Sequence, residues 1–563
     1  MDPVLTQAAD WMDADPDAAD REELGALLAA ARAGDPAALA DLSDRFAGEL
    51  TFGTAGLRGR IGAGQHRMNT AVVTTATAGL CSVLLEDLGA GFHVVIGYDA
   101  RHRSSSFART AAAVVVAAGG RASLMPSALP TPLLAFAVLH LDADAGIMVT
   151  ASHNPPADNG YKAYLGRRMS EPGAAGAQIV PPTDARIAAG ITAAGAAKDV
   201  GVSADGWRVL GDDVIDAYTA QTVGLVAPAG PRDLRIVLTA MHGVGSRVAV
   251  RVLAEAGFAD VHLVAEQCEP DPEFPTVPFP NPEEPGALDL AYAKAREVDA
   301  DLIIALDPDA DRSSAAVPDG SVAGGWRQLT GDQVGWLLGE QAARAHHGDG
   351  SAALARSIVS SSLLDHIATS HGLRAIPTLT GFKWISRAPG LVFGYEEAIG
   401  YCVNPSVVRD KDGISASAKM CELAAGLKAE GATIDDVLDR LAIAHGLFTT
   451  SPLTFRVEDV SLIAAGMARL LASPPSELAG SSVVENDDLS QGWAGLPPTE
   501  GVRLSTERHD RVIVRPSGTE PKLKCYLEVL ESVSTHADLP DARERSQQRL
   551  AQIKDELARV LGF

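Results

Sequence analysis

The sequence predicts repeated α/β units with mixed sheets, closed by a C-terminal α+β domain, and three observations carry that expectation. Short apolar runs at 93–97, 145–150, 234–239 and 391–393 lack alternation and are too brief for helices, the pattern of strands buried on both faces. Stretches with helical spacing lie between them at 105–118, 246–256 and 330–346, giving a strand, helix, strand rhythm. After Leu453 the order changes: strands at 454–457, 511–514 and 522–529 precede one long closing helix at 538–561.

From the N-terminus, apolar spacing of three and four predicts helices at 22–32 and 37–46, the second with Asp35 as N-cap and Pro36 at its first position. Leu57-Arg58-Gly59-Arg60 follows in a Gly-rich loop. The first α/β unit then uses 93–97, 105–118 and 145–150, the second 234–239, 246–256 and a strand at 261–264, and the third 330–346, a strand at 357–360 and 391–393. The proline-rich stretch 272–285 reads as an extended irregular loop. A chain of 563 residues exceeds one core at roughly 100–200 residues per domain. Boundaries near Ala204, Ser321 and Ser451 give domains 1–204, 205–320, 321–450 and 451–563.

Hydrophobic residues make up 46% of the chain, enough for large cores. The net charge of −25 argues against nucleic-acid and anionic-membrane partners, which need a basic field. A phosphate ligand therefore requires cations concentrated locally, with Arg58, Lys162, Lys383, Lys411, Arg515 and Lys524 as candidates. The 5 cysteines form no CxxC pair, so neither zinc nor a disulfide framework is expected, and a reducing cytoplasm fits. The N-terminal stretch lacks the basic and apolar regions of a secretory signal, and the longest small-apolar run, 111–118, is too short to span a bilayer. A soluble cytoplasmic protein is expected.

Four loops carry chemistry. Ser152 stands beyond an apolar run and before Pro155 and Pro156, beside His153 and Asn154, a placement suited to a nucleophile projecting into a cleft. Asp307, Asp309 and Asp311 follow 302–306 and alternate along what reads as an extended segment, which sets three carboxylates on one side. At about 4 Å each pair repels by roughly 4 kcal/mol for an effective dielectric near 20. One Mg2+ on this all-oxygen set, with phosphate as a further ligand, answers that repulsion; Arg312 neutralising part of it is the other reading. An EF-hand is excluded, because Arg312 stands where that loop needs Gly and Pro318 where it needs Glu. Glu396 and Glu397 follow 391–393 and point to opposite faces if extended, so one reads sugar hydroxyls. Lys411, in Asp410-Lys411-Asp412-Gly413, is either an acid/base group or part of a solvated charged turn. Arg515, Ser517, Gly518 and Thr519, with Lys524, compose a phosphate cradle, and no P-loop motif for a nucleotide occurs.

These loops, Thr150-Ala151-Ser152-His153-Asn154-Pro155, Asp307-Pro308-Asp309-Ala310-Asp311-Arg312, Gly394-Tyr395-Glu396-Glu397 and Arg515-Pro516-Ser517-Gly518-Thr519-Glu520-Pro521, resemble those of the α-D-phosphohexomutase superfamily in family order across nearly the whole chain. Thr239-Ala240-Met241-His242-Gly243-Val244-Gly245, Phe274-Pro275-Thr276-Val277-Pro278 and Pro280-Asn281-Pro282-Glu283 are similar to the branch of phosphoglucomutases, phosphomannomutases and phosphopentomutases. The resemblance implies a heart-shaped molecule of three similar α/β domains and a mobile α+β domain around a central cleft. It implies a phosphate on Ser152, Mg2+ held by Asp307, Asp309, Asp311 and a phosphoserine oxygen, and a sugar 1,6-bisphosphate that turns over between two transfers. By motif position, Arg58 and Lys162 match the basic residues beside the phosphoserine, with His153 adjacent, and Gly381 and Lys383 match the loop before the sugar reader. Arg312, Glu396, Glu397 and the 515–519 cradle with Lys524 are implied substrate contacts.

Two departures concern the sugar loop: Ala398 stands where many members have Ser, and Ile399-Gly400-Tyr401 where some place a His, leaving Lys411 for the acid/base role. The expected reaction moves phosphate between the 1- and 6-positions of glucose, with mannose or pentose phosphate as alternatives. A haloacid-dehalogenase-like phosphatase would use Asp307 as nucleophile and Asp309 as acid/base, but Asp311 stands where it expects Thr or Val. A non-catalytic sugar-phosphate sensor is the third class. Sugar phosphates are the expected partners of a monomer or homodimer.

Overall fold

The computed structural model describes residues 2–51, 56–457, 459–517 and 522–563. They form two compact units, Met1–Leu329 with Gly400–Gly426, and Thr330–Ile399 with Leu427–Phe563.

The first unit opens with helices Pro3–Ala14, Ala18–Arg32 and Pro36–Arg45. Each starts at an aspartate: Asp2, Asp17 and Asp35 accept the N–H of Val4, Ala19 and Ala37 at 3.1, 3.0 and 2.9 Å. Much of the acidic N-terminal run is therefore a series of N-caps. The helix Pro3–Ala14 is absent from the sequence expectation, and the next begins at Ala18 rather than 22 because Asp17 caps it.

A six-stranded sheet follows in the order Leu57–Arg60, Asp158–Leu165, Ala145–Val149, His93–Tyr98, Arg121–Leu124, Arg208–Val209. Its central strands pair in parallel and Asp158–Leu165 runs antiparallel to Ala145–Val149. The second sheet orders Trp326–Gln328, Ser313–Pro318, Leu302–Leu306, Ile236–Thr239, Val261–Leu263, again with a parallel part and an antiparallel edge. Leu302, Ile303, Ile304, Ala305 and Leu306 are all fully buried, as an unalternating apolar run requires.

Helix Thr70–Leu88 corrects one expectation: by length and composition alone it is apolar enough to cross a bilayer. Here Val73, Ala76, Leu80 and Leu84 join the core under the first sheet with Val94 and Ile96.

In the second unit, Ala353–Ser357 pairs in parallel with Arg374–Thr378 and Leu391–Glu396. The expected strand at 357–360 is corrected: the strand ends at Ser357, and 358–360 form the following turn. Arg356 disguised it, a buried cation that pairs with Asp365 at 2.6 Å inside what is otherwise a core strand. The last sheet is antiparallel throughout. Leu523, Cys525, Leu527 and Val529 form its buried row and share a core with Leu550, Ile553, Leu557 and Leu561 of the closing helix Leu539–Leu561. Three α/β domains with mixed strand directions and a terminal α+β domain are thus the architecture.

One buried acid among the N-terminal helices sets a pH dependence. Burial pushes the Asp15 carboxyl up to about 6, against the N–H of Asp17 that donates to it at 2.9 Å, with Asp20 and Asp17 adding repulsion. The native state then holds a proton that the unfolded chain releases near pH 4, so this contribution to stability falls as pH rises from about 4 to about 6 and is level above. Asp15→Asn keeps the acceptor, and we expect it to raise unfolding free energy at pH 7.5 by on the order of 2 kcal/mol, with no difference below pH 4. Denaturant unfolding at both pH values checks this, and equal stabilities at pH 7.5 would refute it.

Candidate active site

Ser152 follows the strand Ala145–Val149 and takes a left-handed φ of 52°. A non-glycine residue held there stores on the order of 1–3 kcal/mol of backbone strain and persists only when its surroundings fix it. Its Oγ donates to Asp307 Oδ2 at 2.7 Å and lies 3.2 Å from His153 Nδ1.

The three aspartates converge by a turn, which corrects the extended segment expected from the sequence. Alternate residues on a strand stand about 6.6 Å apart, too far for one ion's first shell. Instead Ala310 N–H closes on Asp307 O at 2.8 Å, Ala310 adopts φ 53°, and Arg312 N–H donates to Asp307 Oδ1 at 3.0 Å. One carboxylate oxygen from each aspartate then lies within 4.8 Å of the others. The loop rests on the turn after Ile236–Thr239, where Val244 N–H donates to Pro308 O at 2.8 Å. A Cβ on Gly243 would stand 2.3 Å from Pro308 Cα, which is why that position carries no side chain.

All three aspartates are fully buried, and they are balanced by lysines from a strand of the first sheet and from a loop after residue 400. Lys162 Nζ donates to Asp309 Oδ2 at 2.8 Å and Asp311 Oδ2 at 2.9 Å, and Lys411 Nζ lies 3.1 Å from Asp311 Oδ2. Thr131 Oγ1 donates to Asp309 Oδ2 at 2.6 Å. Burial raises the Asp307 carboxyl well above its usual range, with Asp309 and Asp311 adding to the effect. Burial acts the same way on Asp311, but Lys162, Lys411 and Arg312 outweigh it and hold that carboxyl down. Arg312 Nε is 3.8 Å from Asp311 Oδ1, so its charge offsets only part of the cluster. Burial is also the main cause lowering His153 well below its ordinary value, helped by Arg312 and Arg58.

Asp309 Oδ1 and Asp311 Oδ1 are buried without a hydrogen bond. Two orphaned oxygens beside a third carboxylate fit a hard cation such as Mg2+, which takes oxygen ligands only. Arg58 Nη1 donates to Asn154 Oδ1 at 3.2 Å while its Nε makes no hydrogen bond. Lys411 is steadied by Asp410, itself gripped by Tyr164 Oη at 2.7 Å and Gln178 Nε2 at 2.8 Å. The first unit therefore brings together Ser152, His153, Arg58, Lys162, Arg312, Lys411 and the three aspartates.

The second unit carries the other predicted residues. Glu396 ends the strand Leu391–Glu396, and Glu397 begins the turn beyond it. Glu397 Oε2 accepts from Ser360 Oγ at 2.8 Å and Ser357 Oγ at 3.2 Å. Burial raises its carboxyl, with Glu396 and Asp332 adding repulsion. Ser360 O in turn accepts Arg511 Nη2 at 2.6 Å from the last sheet. Gly381, at φ 104°, precedes the short helix Phe382–Ile385 that bears Lys383. Arg515 donates to Thr380 Oγ1 and sits opposite Lys524 across a strand pair, with Ser517 just beyond. Gly518 and Thr519 lie outside the described residues.

The sequence reading missed Thr131, Tyr164 and Gln178, which share no local pattern, and named Asp410 only as part of the turn that bears Lys411. It also missed Asp99 and Arg101, although Tyr98-Asp99-Ala100-Arg101 repeats the layout of the other loops, polar groups directly after an apolar strand.

Comparison with known proteins now decides the family. The phosphoglucomutase/phosphomannomutase domains match in order: α/β/α domain I over residues 49–197, domain II over 215–320, domain III over 330–443 and the C-terminal domain over 483–560. The chain belongs to the phosphoglucomutase/phosphomannomutase family. This phosphohexomutase is 45% identical over 463 residues to a protein of Haemophilus influenzae named probable phosphomannomutase, covering 82% of this chain and 93% of the relative. It is 34% identical over 579 residues to a probable phosphoribomutase of Schizosaccharomyces pombe, covering 94% of each. The structure of a putative phosphomannomutase from Thermus thermophilus shares the fold at a TM-score of 0.67 and 24% identity, over 90% of this chain and 99% of the other. The phosphohexomutase is an isomerase, an intramolecular phosphotransferase.

Hard-cation binding has a direct check on the phosphohexomutase. Millimolar Mg2+ is expected to raise the thermal midpoint by several degrees, as any ligand selective for the native state does. Asp309→Asn should weaken the cation's apparent affinity at least about tenfold. Scanning calorimetry reads the midpoint and titration calorimetry the affinity, and an unchanged affinity would remove Asp309 from the ligand set.

Proposed function

We propose that the enzyme moves a phosphoryl group between the 1- and 6-positions of a hexose, glucose first, through a phosphoserine at Ser152 and a sugar 1,6-bisphosphate. The observation that carries this is the 2.7 Å contact of Ser152 Oγ with Asp307, inside a buried cluster whose lysines and orphaned oxygens match an anionic group plus a cation.

In the proposed cycle the phosphoryl group leaves Ser152 Oγ as a new P–O bond forms to the sugar hydroxyl, and the serine oxygen retains the bond pair. The hydroxyl proton passes to Lys411, acting in its neutral form, and a proton is returned to the serine oxygen, so the transfer leaves no alkoxide. The resulting bisphosphate reverses and returns its other phosphate to Ser152 Oγ. Phosphoryl transfer of this kind depends on alignment and charge more than on covalent help, which suits a rigid nucleophile among fixed cations. Asp307, Asp309 and Asp311 would hold Mg2+, whose chemistry there is neutralisation of phosphate charge. Arg58 and Lys162 are assigned to the phosphate beside Ser152. Arg312, Glu396 and Lys383 are assigned to the sugar phosphate, and Arg515, Ser517, Gly518, Thr519 and Lys524 to the distal phosphate. Glu397, tied to Ser357 and Ser360, is assigned to orient that loop and reach a hydroxyl with its other oxygen.

The match to all four domains of the mutase family speaks against a phosphatase with Asp307 as nucleophile. A pentose phosphate is the second reading, favoured by the full-length match to the phosphoribomutase relative.

Incubation with glucose 1-phosphate, a trace of the 1,6-bisphosphate and Mg2+ should yield the 6-phosphate, with mannose and ribose phosphates run alongside to rank substrates. Mass spectrometry should find one phosphate on Ser152. Ser152→Ala is expected to lower kcat by about 10³-fold or more, as loss of a nucleophile does. Full activity in that variant would eliminate the phosphoserine route.

A further inference from the structure

We infer that Arg101, rooted on Asp99, is the positioning residue that locks Ser152 into its left-handed, transfer-competent conformation; the inference rests on Ser152 being the phosphoryl carrier. A backbone conformation is set by the two peptide planes that flank a Cα, and both planes at Ser152 are tied to one buried network. Ahead of the Cα, Ser152 N–H donates to Thr150 Oγ1 at 2.9 Å, and Thr150 Oγ1 donates to Asp99 Oδ2 at 2.6 Å. Behind it, Ser152 O accepts Arg101 Nη2 at 2.6 Å.

The same guanidinium grips the rest of the loop. Arg101 Nη2 also donates to Asn154 O at 2.5 Å, while Nη1 donates to Pro155 O at 2.8 Å and Asp158 O at 3.1 Å. Its Nε lies 3.5 Å from Asp99 Oδ2, and its plane stands over the Phe274 ring, 5.0 Å from the centroid. Asp99 is anchored in turn, accepting Arg101 N–H at 3.0 Å and Ser104 Oγ at 2.6 Å. Arg101 is 4% exposed and Asp99 2% exposed, so solvent does not compete for these bonds.

The choice of residue follows from the geometry. Four carbonyls from one loop require a planar fork with several fixed donors, which arginine has and lysine lacks. The hydrogen bonds of the Arg101 guanidinium go to backbone oxygens rather than to the aspartate triad. Its action is therefore on where the Ser152 hydroxyl points.

The test compares Arg101→Lys and Thr150→Val with the parent enzyme, each loosening one of the two planes, and with Ser152→Ala. A nucleophile displaced by about 1 Å loses on the order of 10²-fold in rate, so kcat should fall about 10–100-fold in Arg101→Lys and about tenfold in Thr150→Val. KM for the sugar phosphate should stay within about threefold, because binding groups are untouched. Thermal midpoints and circular dichroism report folding, and Arg101→Ala should recover activity with millimolar guanidinium, which mere destabilisation would not allow. A kcat within about twofold of the parent in both folded variants, or losses that track the unfolded fraction, would overturn the clamp. Absence of phosphate on Ser152 in the parent together with an active Ser152→Ala would instead overturn the phosphoserine reading and the clamp with it.

Discussion

Burying three aspartates side by side is the constraint that organises the first unit. Carboxylates taken out of water and set a few ångströms apart are costly unless each gains a partner, and unpaired buried charge is among the most destabilising features a fold can carry. Lys162 answers Asp309 and Asp311, Lys411 answers Asp311, and the serine hydroxyl answers Asp307. Those partners come from a strand of the first sheet, a loop after residue 400 and the turn after Ala145–Val149. Charge balance thus draws separate chain segments to one point. The sheets supply rigid strand ends that make the point reproducible.

The phosphohexomutase separates two kinds of task among similar-looking side chains. Lys162 commits its ammonium to two carboxylates, whereas Arg58 is half-buried with a buried, unbonded Nε. The first arrangement places two of the ammonium's three donors on charge balance and leaves one for the phosphate assigned to it. The second leaves a directional donor available to a ligand, at the cost of a desolvated cation. Arg101 is a third type, buried and directed at backbone oxygens.

The strands at 93–97, 145–150, 234–239 and 391–393 were legible because short, mainly apolar runs of that length have few other uses, and the loops after them because polar groups stand out against such runs. Helices Thr70–Leu88 and Thr131–His140 were illegible for the opposite reason: they are apolar on nearly every side and show no polar stripe from which a period can be read. The strand at Ala353–Ser357 hid behind Arg356, whose charge is answered by Asp365 only in three dimensions. The residue types of the aspartate loop were legible, but its turn was not, since Ala310 gives no hint of a left-handed φ. Partnerships such as Lys162 with Asp309, 147 positions apart, are beyond any local pattern.

Ser360 serves two masters. Its hydroxyl holds the Glu397 carboxylate and its carbonyl receives the Arg511 guanidinium, so one residue joins the turn after Leu391–Glu396 to a strand of the terminal sheet. Arg511 also grips Ile358 O at 2.9 Å and pairs with Glu528, which in turn holds Ser362. That terminal strand cannot shift at Arg511 without either breaking a buried charged bond or dragging Ser360, and with it the seat of Glu397. Mechanically, the joint ties the position of a strand to the seat of an acid through buried bonds on both sides of one serine.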